Sequence, residues 1–387
     1  MIKRAISEKI LQLAGKYPVV SVTGPRQSGK TTLVRDIFPE YRYVSLERPP
    51  DRALAEEDPE AFLQGYEKGI IIDEAQYVPG LFSYIQVLAD ERKRNGEFVL
   101  TGSQHFLFME KVTQSLAGRV AVFNLLPFSF EEIKNTSWGN QDYEHYLFKG
   151  FFPRLYDQEI APPDFYPNYI QTYTERDVRQ LVNISDLSAF QRFLQICAGR
   201  IGQLVNLSQI GTDLGIDHKT VSRWLSILQT GFQAFLLQPY FENYNKRILK
   251  TPKLYFYDTG LACSLLGIQN REQLDAHFAK GALFENYVVV ELMKQFFNKG
   301  LRPQFYFWRD SSGHEVDLLV DFGGKLFPIE IKSGRTLNSS FFNGLDFFHN
   351  LAGLEPRDAY LIYGGTENQN RSRANVRPWN QLPVWNV

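Results

Sequence analysis

The stretch that decides the fold is Gly24-Pro25-Arg26-Gln27-Ser28-Gly29-Lys30-Thr31. It follows a short apolar run, Pro18-Val-Val-Ser-Val-Thr23, and leads into Thr32-Leu-Val-Arg-Asp-Ile-Phe38, whose apolar positions have helical spacing. Strand, glycine-bearing loop and helix form the context in which G-x-x-x-x-G-K-[ST] cradles phosphate. Gly24 and Gly29 let backbone N–H groups turn inward at the positive end of the new helix. Lys30 would place a point charge on the β- and γ-phosphates, and the Thr31 hydroxyl would ligate Mg²⁺. The expected nucleotide-binding residues are Gly24, Pro25, Arg26, Gln27, Ser28, Gly29, Lys30, Thr31 and Thr32.

Outward from the loop, Gly69-Ile-Ile-Ile-Asp73-Glu74 is an apolar run ending in two carboxylates, as a strand buried in a parallel sheet should end. Asp73 is expected in the Mg²⁺ shell and Glu74 as the group that orients or deprotonates the attacking water. A third strand, Glu97-Phe-Val-Leu-Thr101, runs into Gly102-Ser103-Gln104, where a polar side chain such as Ser103 would sense the γ-phosphate. Ser115-Leu-Ala-Gly-Arg119 offers a guanidinium, either a surface charge or a finger acting on a neighbouring subunit's nucleotide. The sequence holds no N-K-x-D string of the kind that reads guanine, so ATP is the expected nucleotide, with Mg²⁺.

The strings VTGPRQSGKTTL, IIIDEAQ, LTGSQ and LAGRV, followed by LLPFSFEE, resemble a prokaryotic AAA+ family. In that family an ATPase domain is joined to a C-terminal domain of unknown function. The string Tyr169-Ile-Gln-Thr-Tyr-Thr-Glu-Arg-Asp177 resembles it too, and the likeness covers most of the chain. It implies an ATPase with a parallel sheet that assembles with copies of itself through the AAA+ domain.

Composition sets bounds on the rest. The 387 residues suffice for two or three domains, 44% are hydrophobic and 22% charged, and the formal net charge is -1. No global field draws the chain to nucleic acid or membrane, so such a partner must meet a local patch. Cys197 and Cys263 stand in apolar surroundings without metal-ligand spacing, which suits buried thiols in a reducing cytoplasm. The basic N-terminus is interrupted by Glu8 and Lys9 and lacks a signal peptide's apolar core. No apolar stretch approaches the ~20 residues that cross a bilayer, so a soluble cytoplasmic protein is expected.

Prolines at 153, 162, 163 and 167 mark a connection. Leu207–Gly215, a turn, and His218–Leu228 read as a helix-turn-helix in which Asp217 caps the second helix. Strand-like runs at Ala234–Tyr240 and Lys253–Tyr257, with a wing over Asn243–Thr251, extend this to a winged helix. Six basic residues, Lys219, Arg223, Lys246, Arg247, Lys250 and Lys253, stand against one acid, Glu242. Lys219 and Arg223 share a face, which suits phosphate contact with DNA and equally a solvated face.

Farther on, a helix (Ala282–Phe297) carries Glu285, and strands follow at Gln304–Arg309, Glu315–Phe322 and Phe327–Lys332. A helix (Phe341–Asn350) and a strand (Ala359–Tyr363) close the unit. The order αβββαβ, with Glu285, Asp317 and Glu330-x-Lys332, resembles the PD-(D/E)XK fold of restriction enzymes and junction resolvases. The resemblance implies Mg²⁺ held by Glu285, Asp317 and Glu330, with Lys332 beside the attacking water. The alternative is a silent or regulatory copy of that fold that docks a partner. The expected layout is an AAA+ ATPase domain over 1–160, a helical winged-helix domain over 161–270 and a restriction-endonuclease-like α/β domain over 271–387.

Overall fold

The computed structural model describes residues 2–103, 115–173, 187–240 and 251–385. Gln104, Glu242, Lys246, Arg247, Lys250, most of the expected wing and the end of the Tyr169–Asp177 string lie outside them. Contacts divide the chain into two units. One is Met1–Ile133 with Thr230–Phe232 and Phe296–Leu301; the other is Lys134–Gln229, Gln233–Gln295 and Arg302–Val387. The first division thus falls at Ile133/Lys134 rather than near 160, and the described parts of 161–270 and 271–387 largely share the second unit.

The first unit is built on β1 (Val19–Thr23), β2 (Arg42–Ser45), β3 (Ile70–Asp73), β4 (Phe98–Gly102) and β5 (Val120–Asn124). They form a parallel sheet in the order β2-β3-β4-β1-β5. Every residue of β1, β3 and β4 is buried, because apolar layers cover both faces. Val19, Ile70, Ile72, Phe98 and Leu100 point into one layer. Val20, Val22, Ile71 and Val99 point into the other, beneath the helix Ser7–Ala14. Each large apolar side chain buried this way stabilises by about 1.5–3 kcal/mol. The chain leaves β1 toward one side of the sheet and returns as β5 on the other. The crevice beyond the carboxyl end of β1 is therefore the place where such sheets bind ligands.

The second unit carries β6 (Ala234–Pro239), β7 (Lys253–Phe256), β8 (Gln304–Arg309), β9 (Glu315–Phe322), β10 (Lys325–Lys332), β11 (Tyr360–Tyr363), β12 (Gln369–Asn370) and β13 (Asn375–Pro378). Their order is β12-β13-β11-β10-β9-β8-β6-β7. The helices Lys280–Asn298 and Asn343–Ala352 and strands β8 to β11 fall where the sequence pattern puts them. The strands expected to carry a separate wing are present, but β6 pairs with β8 and so extends the C-terminal sheet. Trp308, Val316, Leu319, Leu345, Phe348, Leu361 and Val376 form one core of this unit. In it, the helices Leu207–Leu214 and His218–Thr230 make a tight turn. Gly211 permits this turn, since a Cβ there would lie 2.6 Å from the Ile216 carbonyl oxygen. Both cysteines are buried free thiols. No helix among the described residues is long and apolar enough to cross a membrane.

Candidate functional site

At the carboxyl edge of the first sheet, Gly24 leaves β1 with φ 155 and its position would bring a Cβ to 2.1 Å from Leu125 O, so only glycine fits. Gln27 and Gly29 also have positive φ, which folds the loop onto the start of the helix Lys30–Ile37. Lys30 is buried, and its ammonium donates to Gly24 O at 2.9 Å and Pro25 O at 2.8 Å, keeping it inside the loop. The Ser28 hydroxyl is buried without a hydrogen-bond partner in the loop wall. Arg26 reaches Glu47 at 3.8 Å, while Thr32 is exposed on the helix.

Thr31 Oγ1 donates to Asp73 Oδ2 at 3.0 Å, joining the loop's end to the end of β3. Tyr43 donates to the same oxygen at 2.7 Å, and Thr101 donates to the other one. Burial, and then the bond to Asp73, push the Tyr43 phenol well up, so it remains a donor. Three hydroxyls on three elements thus aim one carboxylate at the loop, and the Thr31 oxygen keeps lone pairs for a cation. These residues fit Mg²⁺. Next to them Glu74, at φ 53, accepts from Ser103 Oγ at 3.1 Å and from the Gln76 amide. The structure therefore brings Lys30, Thr31, Asp73, Glu74 and Ser103 to one edge of the sheet.

Arg119 is elsewhere. It precedes β5, whose first residue pairs with Val19, and so stands at the amino-terminal edge of the sheet. That edge lies about one five-residue strand, roughly 16 Å, from the loop. Its guanidinium forms a fork with Asp90, at 2.6 and 2.8 Å. From there it does not reach this chain's own loop.

One residue escaped sequence reasoning because its partners are distant along the chain. Arg4 is buried; it donates to Glu132 at 3.0 Å, to the Ser28 carbonyl at 2.9 Å and to the Leu126 carbonyl at 2.7 Å. Burial pushes the Glu132 carboxyl up. Arg4 and the backbone N–H groups of Ser129 and Ala5 outweigh that and hold it below its usual value. This buried pair braces the loop from behind.

The C-terminal acids form a different arrangement from the expected metal set. Lys253, from β7, lies 3.2 Å from Glu285 and 2.5 Å from Glu315. Lys332 lies 3.3 Å from Asp317 and 2.5 Å from Glu330. The Ile331 N–H donates to Asp317 Oδ2 at 2.8 Å, and Tyr255 donates to Glu285. Burial, then the Asp317 charge, push the Glu330 carboxyl up to about 8 against the pull of Lys332. Among the described residues no three His, Cys, Asp or Glu side chains are placed to hold one metal ion. Glu285, Asp317 and Glu330 are thus neighbours whose oxygens turn to lysines, and the donor set does not fit a divalent cation.

The parallel sheet and its loop define a P-loop domain of the AAA type. Residues 16–134 match the family described as AAA domain. Residues 140–272 and 280–382 match two domains of unknown function, DUF8612 and DUF4143. The chain is 32% identical over 338 residues to uncharacterized proteins of Mycobacterium tuberculosis and Mycobacterium bovis, over 86% of this chain and 74% of each of theirs. It belongs to their family. An uncharacterized protein of Haemophilus influenzae is 24% identical over 325 residues, covering 74% of this chain and 77% of its own. Among solved structures, the Walker-type ATPase of Pyrococcus abyssi aligns with a TM-score of 0.44 at 15% identity, over 67% of this chain and 94% of that one. The RuvB Holliday junction branch migration motor of Thermotoga maritima aligns with a TM-score of 0.33 at 18% identity, over 61% and 90%.

Proposed function

We propose that this chain binds and hydrolyses ATP with Mg²⁺ at the loop Gly24–Thr31, and that the nucleotide state governs its hold on DNA. The observation that carries the first half is the hydroxyl-to-carboxylate link from Thr31 to Asp73 beside a buried Lys30. Mg²⁺ held by Thr31, with Asp73 behind it, would neutralise charge on the β- and γ-phosphates. Lys30 would leave its two loop carbonyls for the phosphates. Glu74, steadied by Ser103 and Gln76, would orient or deprotonate the attacking water. Assembly with copies of itself through the AAA domain belongs to this reading.

The DNA half rests on the helix His218–Thr230. Val221, Trp224, Leu225 and Leu228 bury one face, where Trp224 meets Phe190 and Phe193 edge-on at 5.3 and 5.5 Å. Asp217 caps the helix through the N–H groups of Lys219 and Thr220. The opposite face exposes His218, Lys219, Ser222, Arg223, Ser226 and Gln229, without an acid among them. Such a polar, basic face suits the phosphate backbone and base edges of a major groove. Cleavage of that DNA at the C-terminal cluster is not part of the reading, because lysines hold the carboxylates.

The deciding experiment pairs Glu74→Gln with wild type. We expect the variant to bind ATP with unchanged affinity by calorimetry and to lose turnover by on the order of 10²–10⁴-fold. Wild-type protein that binds no ATP, or a variant that hydrolyses as fast as wild type, would defeat the assignment.

A further inference from the structure

We infer that Lys253 and Lys332 are the resident cations of the C-terminal acidic cluster, and that the ammonium of Lys253 does there the work a divalent metal would do. The inference is independent of the nucleotide and DNA reading.

The placement follows from strand geometry. Glu315 and Asp317 are two apart on β9, and Glu330 and Lys332 two apart on β10, so each pair projects from one face. Glu285 approaches from the helix Lys280–Asn298. Lys253 enters from β7, at the end of the same sheet, and is 2% exposed. A buried ammonium is costly unless it is paired and hydrogen-bonded. Here Glu285 and Glu315 both accept from it or lie against it, while the Phe307 ring stands 5.4 Å away. Burial alone would drive Lys253 toward neutrality; the charges of Glu285, Asp317 and Glu315 reverse this and hold it protonated.

Charge balance argues the same way. Four carboxylates, Glu285, Glu315, Asp317 and Glu330, face three cations, Lys253, Lys332 and Arg309, the last at 3.1 Å from Glu315. With the Glu330 carboxyl pushed up to about 8, and so largely protonated at neutral pH, the other three carboxylates match the three cations, and a divalent ion would bring uncompensated charge into a buried space. Ammonium nitrogens stand 2.5 to 3.3 Å from an oxygen of each of the four carboxylates. Glu330 Oε2 is buried without a hydrogen-bond partner, but among the described residues no three His, Cys, Asp or Glu side chains are placed to hold an ion with it. Lys253 also precedes residue 271, so the cluster clips β7 to the helix Lys280–Asn298 and to β9. A fragment starting at 271 would lack Lys253 and leave Glu285 without its ammonium.

The test uses the full chain, free of nucleotide, with Mn²⁺ as the probe metal. The change in melting temperature from EDTA to Mn²⁺ should be the same for wild type and Asp317→Asn, any shared rise belonging to the Thr31 and Asp73 site. The Mn²⁺ bound by wild type, read by electron paramagnetic resonance, should equal that of Asp317→Asn. Lys253→Met should lower the melting temperature by on the order of 10 °C, the usual effect of stranding buried charges in a unit of this size. The double variant Lys253→Met with Glu285→Gln should recover part of that loss, because it removes a stranded carboxylate. A Mn²⁺-dependent rise in wild-type melting that Asp317→Asn abolishes would overturn the inference, as would a double variant no more stable than the single one. If Lys253→Met fails to fold, the comparison of Mn²⁺ binding by wild type and Asp317→Asn decides alone.

Discussion

Thr31 Oγ1 and Asp73 Oδ2 lie 3.0 Å apart, so the end of the phosphate loop and the end of β3 are tied through one hydrogen bond. The carboxylate is aimed by Tyr43 and Thr101 as well, which leaves little freedom in where a cation on Thr31 would sit.

Lys30 is the group that would exchange two carbonyl contacts for phosphate oxygens. Lys30→Ala removes a charge-assisted contact of about 1.5–3 kcal/mol, so ATP affinity should fall on the order of 10–100-fold. Calorimetric titration measures this directly. An unchanged dissociation constant would show that the loop does not hold the phosphates.

Arg4 braces the same loop from the far side. Arg4→Met strands the buried Glu132 carboxylate and releases the Ser28 carbonyl, and should cost about 3–5 kcal/mol of stability. Denaturant unfolding should show the loss, and ATP affinity should weaken in parallel because the Ser28 backbone is no longer held. A destabilised variant with wild-type affinity would separate the brace from the loop.

On the helix His218–Thr230, the paired change Lys219→Ala with Arg223→Ala removes two phosphate contacts. Each contact releases about one counterion, so the slope of log affinity for duplex DNA against log salt should become shallower by about 2. All sequences should be weakened alike. If the slope stays the same, the basic face belongs to solvent.

His145 gives a pH dependence with a definite sign. Burial, then Lys149 and Arg271, push its imidazole down to about 4 against the pull of Asp142. The unfolded chain protonates this ring near 6.5, so between these values the unfolded state binds the additional proton. The contribution is full above about 6.5 and is lost as pH falls toward 4. Thermal melts across this window should show a shallower decline for His145→Gln than for wild type.

The phosphate loop was legible because everything it needs is local. Eight consecutive residues, two glycines at the tight positions and flanks of the right period specify the turn before any tertiary contact forms. The same holds for the helix-turn-helix, where Asp217 caps through residues two and three places away, and for the alternation along β9 and β10. What the tertiary structure alone decided are the pairings across long stretches of chain. Asp73 acquires Tyr43 and Thr101 only through the order β2-β3-β4, and Arg4 meets Glu132 only once the sheet is covered. Arg119 lands at the sheet edge away from its own loop because β5 runs parallel to β1. Most consequential, Glu285, Asp317 and Glu330 have the types and spacing of a metal set, yet Lys253 enters among them because β6 and β7 extend the C-terminal sheet. Periodicity tells which face a side chain takes, but a buried charge is defined by the partner opposite it, and that partner is chosen by strand order.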